Sequence, residues 1–232
     1  MFLAPSKITD WIRMEIVMEN ILLVGAHYDD IELGVGGTAA RLADEGKNVY
    51  KLILTDNFVR ESKFNLFTAP ESSLEESKKA CEVLGITEIS DFTKVPNCNL
   101  MYSTELMQRV EKIILKYDID TVFMHSEYDM NHDHIEAAKI CKVAARHVKN
   151  LYTYRSNIYV TETQFIPKVF FDISDYIEKK KKALEMYGIE HQRSMADGEN
   201  KLFENIIYQN KIWGYGIDAM YAEGFEVIKE VH

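Results

Sequence analysis

Cysteine is scarce in this chain, and long apolar runs are missing. The 232 residues contain three isolated cysteines, Cys81, Cys98 and Cys141, and no CxxC pair. Such a sparse, odd set suits a reducing compartment better than a disulfide framework. Residues 1–20 hold no apolar stretch long enough for a secretory signal, and no run approaches the length of a membrane span. These absences predict a cytoplasmic protein without a membrane-spanning segment.

Positive charge is also in short supply. The chain has 27 lysines and arginines against 37 aspartates and glutamates, which gives a formal net charge of −10. This balance argues against a protein that binds nucleic acid through phosphate contacts. The basic run at residues 179–182 is expected on a solvated face of a helix.

Apolar segments typical of strands alternate with segments typical of helices. Strands are predicted at 21–26, 49–55, 88–92 and 121–124, and helices at 36–45, 72–84, 104–117 and 135–148, with a loop at 57–71. The C-terminal third adds strands at 152–160, 169–173 and 225–229 and helices near 175–188 and 199–211. This alternation favours parallel βαβ units. Residues 1–232 are therefore predicted to form a single α/β domain, with a Rossmann-like, mostly parallel sheet flanked by helices and extra β-strands in the C-terminal third.

Two segments are unusually rich in histidine and acidic residues. Residues 26–32 (AHYDDIE) follow the apolar run at 21–25, and residues 129–134 (DMNHDH) follow the strand predicted at 121–124. Packing alone gives a buried strand no reason to end in such residues. Because ligands gather at the carboxyl ends of parallel strands, we expect the two segments to meet at one edge of the sheet.

The residue types and their spacing predict a metal centre at this edge. His134 lies one turn before the apolar stripe of its helix, which directs it toward the sheet. A catalytic zinc takes three protein ligands, which His27, Asp30 and His134 would supply, and keeps one position for water. Asp29 stays outside this set and would act as general base on the metal-activated water. One zinc per chain is expected, and Fe²⁺ or Co²⁺ can use the same ligands.

The glycines that follow the first segment allow a competing prediction, a dinucleotide site. Gly34, Gly36 and Gly37 come after a strand and open a helix, but their spacing is not GxGxxG. The neighbouring acids would also repel a pyrophosphate. We expect instead that these glycines let the helix approach the sheet closely.

The same segments resemble the PIG-L/LmbE-like family of zinc-dependent N-deacetylases. The family signature AHPDDxE stands here as residues 26–32, with Tyr28 in place of proline, and the later signature ending in DH stands as residues 129–134. Residues 221–225 (YAEGF) are similar to the family's YAExF, and residues 76–85 fit a helix of the family.

The resemblance carries expectations about fold, site and activity. It implies a Rossmann-like fold, with His27, Asp30 and His134 as zinc ligands and Asp29 as general base. It also implies that the partner of the chain is a small N-acetylated sugar of the N-acetylglucosamine type, from which water removes acetate.

This chain departs from the family pattern at three places. Asn131 stands where some members have a histidine that stabilises the oxyanion, so Asn131 or the neighbouring His132 would donate there. Ser73 stands where many members have a substrate-binding arginine, and Arg60 is the candidate replacement. Tyr28 loosens a turn that proline would stiffen.

Several further residues are predicted to contact substrate or to support the ligands. Glu32 would orient His27 or favour the start of the helix, and Asp133 is expected to cap the following helix. His125 is expected to have a structural role. The set predicted around the ligands comprises Glu32, Asn131, Asp133, His132 and Arg60.

Two other functions remain open at this point. Clustered histidine and aspartate also serve metallophosphoesterases, which hold two metals. A sugar-binding or sensing protein that has lost activity would keep the fold with an altered site. The sequence is also compatible with a homo-oligomer.

Overall fold

A mostly parallel sheet with helices on both faces forms the centre of the computed structural model, which describes residues 17–61, 66–188 and 201–231. The strands are β1 (Asn20–Gly25), β2 (Asn48–Ile53), β3 (Val59–Glu61), β4 (Leu66–Thr68), β5 (Thr87–Glu88), β6 (Thr121–His125), β7 (Asn150–Tyr154), β8 (Val169–Asp172) and β9 (Ala222–Lys229). The helices are α1 (Asp30–Gly34), α2 (Gly36–Asp44), α3 (Pro70–Leu84), α4 (Thr104–Lys116), α5 (His132–Ala144), α6 (Ile177–Leu184) and α7 (Lys201–Tyr215). Within these ranges, no helix is both long and apolar enough to cross a membrane.

The order of strands in the main sheet is β5-β2-β1-β6-β7-β9-β8. The first five of these run parallel to their neighbours, whereas β9 is antiparallel to both β7 and β8. The predicted mostly parallel α/β sheet with added C-terminal strands is therefore confirmed.

Both faces of the sheet are covered by apolar side chains. Leu22 and Val24 of β1 pack on the side of α4 and α5. Ile21 and Leu23, which alternate with them, belong to a second cluster that includes side chains of α2, α3 and α6. Burial on both faces explains why the parallel strands appear in the sequence as nearly continuous apolar runs.

Three of the predicted elements were wrong in extent or kind. The segment predicted as a loop at 57–71 contains the antiparallel pair β3 and β4 and the start of α3. The strand predicted at 152–160 is β7, which ends at Tyr154, opposite the last residue of its partner β6. The strand predicted at 88–92 is the two-residue edge strand β5, whose partner is β2.

The prediction that the basic run at 179–182 lies on a solvated helix face was wrong for Lys180. Lys180 is wholly buried, and its Nζ lies 2.5 Å from Glu223 Oε1 and donates to the carbonyl of Leu33 at 2.8 Å. Glu223 in turn accepts from the backbone N–H groups of Gly37 (3.0 Å) and Thr38 (2.7 Å). The buried carboxylate thus occupies the anion-binding end of α2, which removes the basis for a dinucleotide site.

The predicted role is confirmed at Gly34 and Gly37 but not at Gly36, where a Cβ atom would lie 3.4 Å from its nearest neighbour, Lys180 Cγ. A Cβ atom at Gly37 would lie 2.7 Å from Ile173 Cδ1, and one at Gly34 would collide with the ring of Tyr154. These two positions need glycine because α1 and α2 lie directly against their neighbours.

Candidate metal centre

The candidate site lies where the strand order of the sheet changes direction. β1 sits between β2 and β6, and the chain first builds the β2 side before it returns to the β6 side. Crevices at such switch points are the usual ligand sites of open parallel sheets. Residues 26–30 follow β1 and residues 126–134 follow β6, so both predicted segments meet at this crevice.

Two helix starts hold the side chains in place. His27 donates its backbone N–H to Asp30 Oδ2 at 2.7 Å, which fixes the turn into α1. Asn131 caps α5, because its Oδ1 accepts from the backbone N–H of Asp133 (2.9 Å) and of His134 (3.4 Å). The cap sets the first turn of α5 so that the His134 side chain is buried against the sheet.

Three side chains converge at the centre of the site. His134 Nε2 lies 3.1 Å from Asp30 Oδ1 and 3.2 Å from His27 Nδ1. His27 Nδ1 lies 3.5 Å from Asp30 Oδ2. Asp30 and His134 are almost completely buried, whereas His27 is partly exposed. The three residues predicted as metal ligands therefore point their ligand atoms at one common position.

A carboxylate contacts the far nitrogen of each imidazole. His27 Nε2 lies 3.2 Å from Asp133 Oδ2, and Asp133 is itself held by the backbone N–H groups of Cys98 (2.7 Å) and Leu100 (3.2 Å). His134 Nδ1 lies 3.0 Å from Asp129 Oδ2. Carboxylates in this position orient metal-ligating histidines and increase their basicity.

Asn157 completes the support of Asp129. Its Nδ2 donates to both Asp129 oxygens, at 3.1 and 3.0 Å. The sequence analysis did not single out Asn157, which lies 28 residues from Asp129 along the chain. Only the fold brings the two side chains together.

The electrostatics of the cluster shift the pKa values of all these groups. Burial lowers the pKa of His134, but Asp30 and Asp129 outweigh it and raise the pKa to about 9. Burial raises the pKa of Asp129, but His134 outweighs it and lowers the pKa to about 2. The pKa of Asp30 is well below its usual value, because the neighbouring imidazoles overcome its burial. The carboxylates are therefore ionised, and in the metal-free chain protonated imidazoles balance their charge.

His125 supports the cluster from beneath. It is wholly buried, its Nε2 lies 3.0 Å from Asp30 Oδ2, and its ring stacks on that of His134 at a centroid distance of 4.0 Å. The predicted structural role agrees with this position, although the direct contact with Asp30 could not be anticipated from the sequence. His125 also forms a second possible metal-binding group together with Asp129 and His134.

The donor set fits a single divalent metal ion. Two imidazole nitrogens that face each other at 3.2 Å would repel if both carried protons. Ligand atoms about 2.0–2.1 Å from a tetrahedral zinc lie about 3.3 Å apart, close to the separations seen between His27, Asp30 and His134. Two imidazoles and a carboxylate form a ligand set common to zinc, iron and cobalt sites.

A cavity of about 480 Å³ opens directly onto these residues. Asp29, the residue before α1, lines it beside His27 and Asp30. The rest of the described lining is mostly neutral and polar, with amide side chains prominent. These amides belong to Asn57, Asn97, Asn131 and Asn157.

Several residues of the predicted set lie elsewhere. Glu32 does not touch His27, since it is wholly buried in an ion pair with Lys51 (Oε1 to Nζ, 2.8 Å). His132 is exposed on the first turn of α5 and is not among the described residues that line the cavity. Arg60 lies in β3, and its side chain is outside the described part of the structure. Ser73 is buried, 3.4 Å from the amide nitrogen of Asn57, which does line the cavity.

The fold and the cluster together define an α/β protein with a candidate hydrolytic metal centre. Residues 22–145 match the family model PIG-L, described as GlcNAc-PI de-N-acetylase. Because the match covers more than half of the 232 residues, the chain belongs to the PIG-L family, and it is a deacetylase of that family.

A relative from the sequence comparison agrees with this assignment, and two solved structures share the fold of the chain. The chain is 26% identical to the diacetylchitobiose deacetylase of Thermococcus kodakarensis, over 91% of this chain and 84% of the relative. The structure of the N,N'-diacetylchitobiose deacetylase from Pyrococcus horikoshii superposes with a TM-score of 0.72 at 21% identity, covering 91% of this chain and 84% of that one. The fold is also shared by GalB, the 4-carboxy-2-hydroxymuconate hydratase of Pseudomonas putida KT2440, with a TM-score of 0.73, 18% identity and coverage of 91% and 96%.

Proposed function

We propose that this chain is a zinc-dependent deacetylase that hydrolyses the N-acetyl group of an amino sugar or sugar conjugate of the N-acetylglucosamine type. The observation that carries the proposal is the convergence of His27 Nδ1, Asp30 and His134 Nε2 at the floor of a cavity that Asp29 also lines. The match to a de-N-acetylase family and the likeness to diacetylchitobiose deacetylases support the substrate class.

In this proposal, one group of residues holds the metal and another residue transfers a proton. His27, Asp30 and His134 would hold the metal, and Asp133 and Asp129 would fix the orientation of the two imidazoles. A bound zinc would supply a water of lowered pKa and polarise the substrate carbonyl.

Asp29 would transfer a proton from the attacking water to the leaving amine. As general base it accepts a proton from the attacking water, and it then delivers that proton to the amide nitrogen as the C–N bond breaks. One amide and one water give acetic acid and one amine, and at neutral pH the acid passes its proton to the amine, so that acetate and a protonated amine result. Asp29 suits this role because it lies at the cavity beside the ligands Asp30 and His27.

Asn131, at the start of α5, would stabilise the oxyanion that forms on the substrate carbonyl. Its Oδ1 is committed to the cap of α5, so Nδ2 is the group that can donate to a substrate oxygen. A neutral donor of this kind stabilises developing negative charge without carrying a charge of its own.

The proposal includes a cytoplasmic location, which fits the unpaired state of Cys81, Cys98 and Cys141. It also includes one metal per chain, with Fe²⁺ or Co²⁺ able to replace zinc.

Acetate release tests the proposal directly. The metal-free chain is reconstituted with Zn²⁺, Co²⁺ or Fe²⁺ and incubated with N-acetylglucosamine, N,N'-diacetylchitobiose and conjugates of N-acetylglucosamine, and free acetate and new amine are measured. The expected result is equal acetate and amine from at least one sugar, only when metal is present. Sugar binding without any acetate would favour the sensing protein, and activity on phosphate esters with two metals per chain would favour the phosphoesterase.

A further inference from the structure

A second buried group of polar residues lies directly behind the turn that carries His27 and Asp30. It consists of Lys51 from β2, Glu32 from α1 and Tyr187 from the residues after α6, and we call it the Lys51 clamp. Lys51 and Glu32 are 0% exposed and Tyr187 is 2% exposed. None of the three is among the described residues that line the cavity, so the group does not face the substrate.

The clamp converges on one backbone carbonyl, that of Tyr28. Lys51 Nζ donates to this oxygen at 2.7 Å, and the hydroxyl of Tyr187 donates to it at 2.7 Å as well. Lys51 Nζ also donates to Glu32 Oε1 at 2.8 Å and to the Tyr187 hydroxyl at 2.9 Å. The three protons of the ammonium group are thereby all used, with no water needed.

The Tyr28 carbonyl belongs to the peptide group that joins Tyr28 to Asp29. Two donors on one carbonyl fix the orientation of that peptide plane, and the plane sets where Asp29 and the first residue of α1, Asp30, are placed. On the other side, the backbone N–H of His27 is bonded to Asp30 Oδ2. The turn is therefore held from both ends, once by the cluster and once by the clamp.

The clamp differs from the other buried lysine pair in the backbone group that it holds, since Lys180 donates to the carbonyl of Leu33 within α1 and not to the turn. A buried ion pair carries a large desolvation cost, and apolar side chains of similar volume often stabilise a fold equally well or better. Here the buried charges are directed at a backbone oxygen in the turn that bears the candidate base and two candidate ligands. Their arrangement therefore stabilises the conformation of the turn.

We propose that Lys51, Glu32 and Tyr187 are positioning residues, which hold the Tyr28–Asp29 peptide so that Asp29 and Asp30 keep the separation needed for proton transfer and metal binding. The inference rests on the proposed function of the site. Displacements of about 1 Å in a catalytic group can lower turnover about 100-fold, so loss of one donor to this carbonyl should be measurable.

The variant Tyr187→Phe tests the proposal with the smallest change, because it removes one hydroxyl and leaves the ion pair intact. Zinc affinity is measured on the metal-free chain by competition with a chromogenic chelator, and kcat and KM are measured separately by acetate release. The expected result is a zinc Kd raised about 3- to 10-fold and a kcat lowered about 10-fold or more, with KM changed by less than about 2-fold.

Tyr176→Phe is the matched control. The Tyr176 hydroxyl, at the start of α6, lies 3.1 Å from Asp44 Oδ2 and has no contact with the turn. Its removal should leave the zinc Kd, kcat and KM at wild-type values. Thermal unfolding of the two metal-free variants shows how much of any loss is structural.

A second comparison uses the two buried lysine pairs. Lys51→Met with Glu32→Gln is compared with Lys180→Met with Glu223→Gln, and each double variant removes one buried ion pair without leaving an unbalanced charge. Only the first should weaken zinc binding and lower kcat. If its chain does not fold, Tyr187→Phe decides the question alone.

The outcomes separate the inference from the function on which it rests. A wild-type chain that binds no metal and releases no acetate contradicts the proposed function, and the clamp fails with it. A second result is that the wild-type chain binds metal and releases acetate while Tyr187→Phe leaves the zinc Kd and kcat unchanged. That result would overturn the positioning role of the clamp and leave the proposed function standing. Equal losses in the two lysine-pair variants also overturn it, because they would reveal only a general effect of lost stability.

Discussion

Buried charges occur in two kinds of surroundings in this protein. At the carboxyl end of β1 and β6, Asp30, His27 and His134 crowd together below an open cavity, and two imidazole nitrogens face each other. On the face covered by α2 and α6, Lys51–Glu32 and Lys180–Glu223 form two closed ion pairs, in each of which the lysine also donates to a backbone carbonyl. The lysine pairs are neutral by themselves, whereas the cluster is neutralised only when its imidazoles take up protons or when a metal cation replaces those protons.

The pKa shifts follow the same division. In the cluster, Asp133 and Asp30 outweigh burial and raise the pKa of His27 well above its ordinary value, so the cluster draws in protons when no metal is bound. In the ion pairs, burial acts to lower the pKa of both lysines. For Lys51 the carboxylate of Glu32 outweighs burial, so the pKa is raised. For Lys180 burial outweighs Glu223, so the pKa is lowered. The comparison teaches that a buried group of charges indicates a metal site only where the side chains do not already balance one another.

Loss of a ligand should have the largest effect. His134→Ala removes an imidazole nitrogen from the centre of the cluster, and zinc affinity should fall by more than about 100-fold, beyond the loss typical for supporting residues. Acetate release should fall to background. His132→Ala is the control, since His132 is exposed two residues earlier on the same helix and should change neither quantity. Full zinc affinity in His134→Ala would contradict the ligand set.

Asp29→Asn separates proton transfer from metal binding. The amide keeps nearly the same shape but cannot act as a base, so kcat should fall about 10²- to 10⁴-fold while one zinc per chain remains bound. Elemental analysis and single-turnover rates measure the two effects on the same sample. Turnover at the wild-type rate would remove Asp29 from the mechanism.

Lys180→Met should damage the fold and spare the cluster. The substitution leaves the carboxylate of Glu223 buried without its cation, which costs about 3–5 kcal/mol in the free energy of unfolding. Denaturant unfolding measures this loss, and zinc affinity of the remaining folded protein should stay close to the wild-type value. Weaker zinc binding without a loss of stability would mean that the two regions are coupled.

Asp129→Asn should weaken zinc binding less than the loss of a ligand does. Asp129 contacts His134 through the nitrogen that faces away from the other ligands, and the loss of such a carboxylate typically weakens metal binding or activity about 10- to 100-fold. Chelator competition gives the affinity. The zinc affinity of an Asn157→Ala variant should lie between those of Asp129→Asn and the wild type, because Asn157 supports Asp129 and is not itself a candidate metal ligand.

The smallest predicted effect is on the pH dependence of stability. The pKa of His134 is about 9 in the folded, metal-free chain, above its ordinary value of about 6.5. Its contribution to stability is therefore complete below about pH 6.5 and is lost as the pH rises through about 9. Denaturant unfolding of the metal-free chain should show a loss of about 1–3 kcal/mol across this window.

The zinc-loaded chain provides the contrast for that measurement. Metal binding requires neutral imidazoles, so zinc takes the place of the proton and its affinity should rise with pH over the same window. A metal-free chain that becomes more stable as the pH rises from 6.5 to 9 would contradict the pKa of His134.

The sequence predicted the cluster far better than the ion pairs, for physical reasons. Histidine and aspartate after a buried strand, as at residues 27–30, have no explanation from packing and are therefore conspicuous. Lys180, in contrast, lies in a run of four lysines that is typical of a solvated helix face. Its partner Glu223 is 43 residues away, and only the fold shows that the two meet in the core.

The role of Glu32 shows the same limit. Its place in the AHYDDIE segment was compatible with support for His27 or with a favourable charge at the start of the helix, but α1 turns the side chain to the other face, where it pairs with Lys51 of β2. The antiparallel pair of β3 and β4 was missed because three-residue strands give too little alternation to be recognised. Most parallel strands and long helices, whose patterns extend over many residues, were predicted within a few residues of their ends, but the strand predicted at 152–160 already ends at Tyr154.

Metal stoichiometry tests the central claim most directly. The full chain is stripped of metal, titrated with Zn²⁺ at neutral pH, and analysed for bound zinc and released protons. The account predicts one zinc per chain, bound with release of protons from the cluster, in the wild type and in Asp29→Asn but not in His134→Ala. No bound zinc, or two zinc ions per chain, would contradict a single site formed by His27, Asp30 and His134.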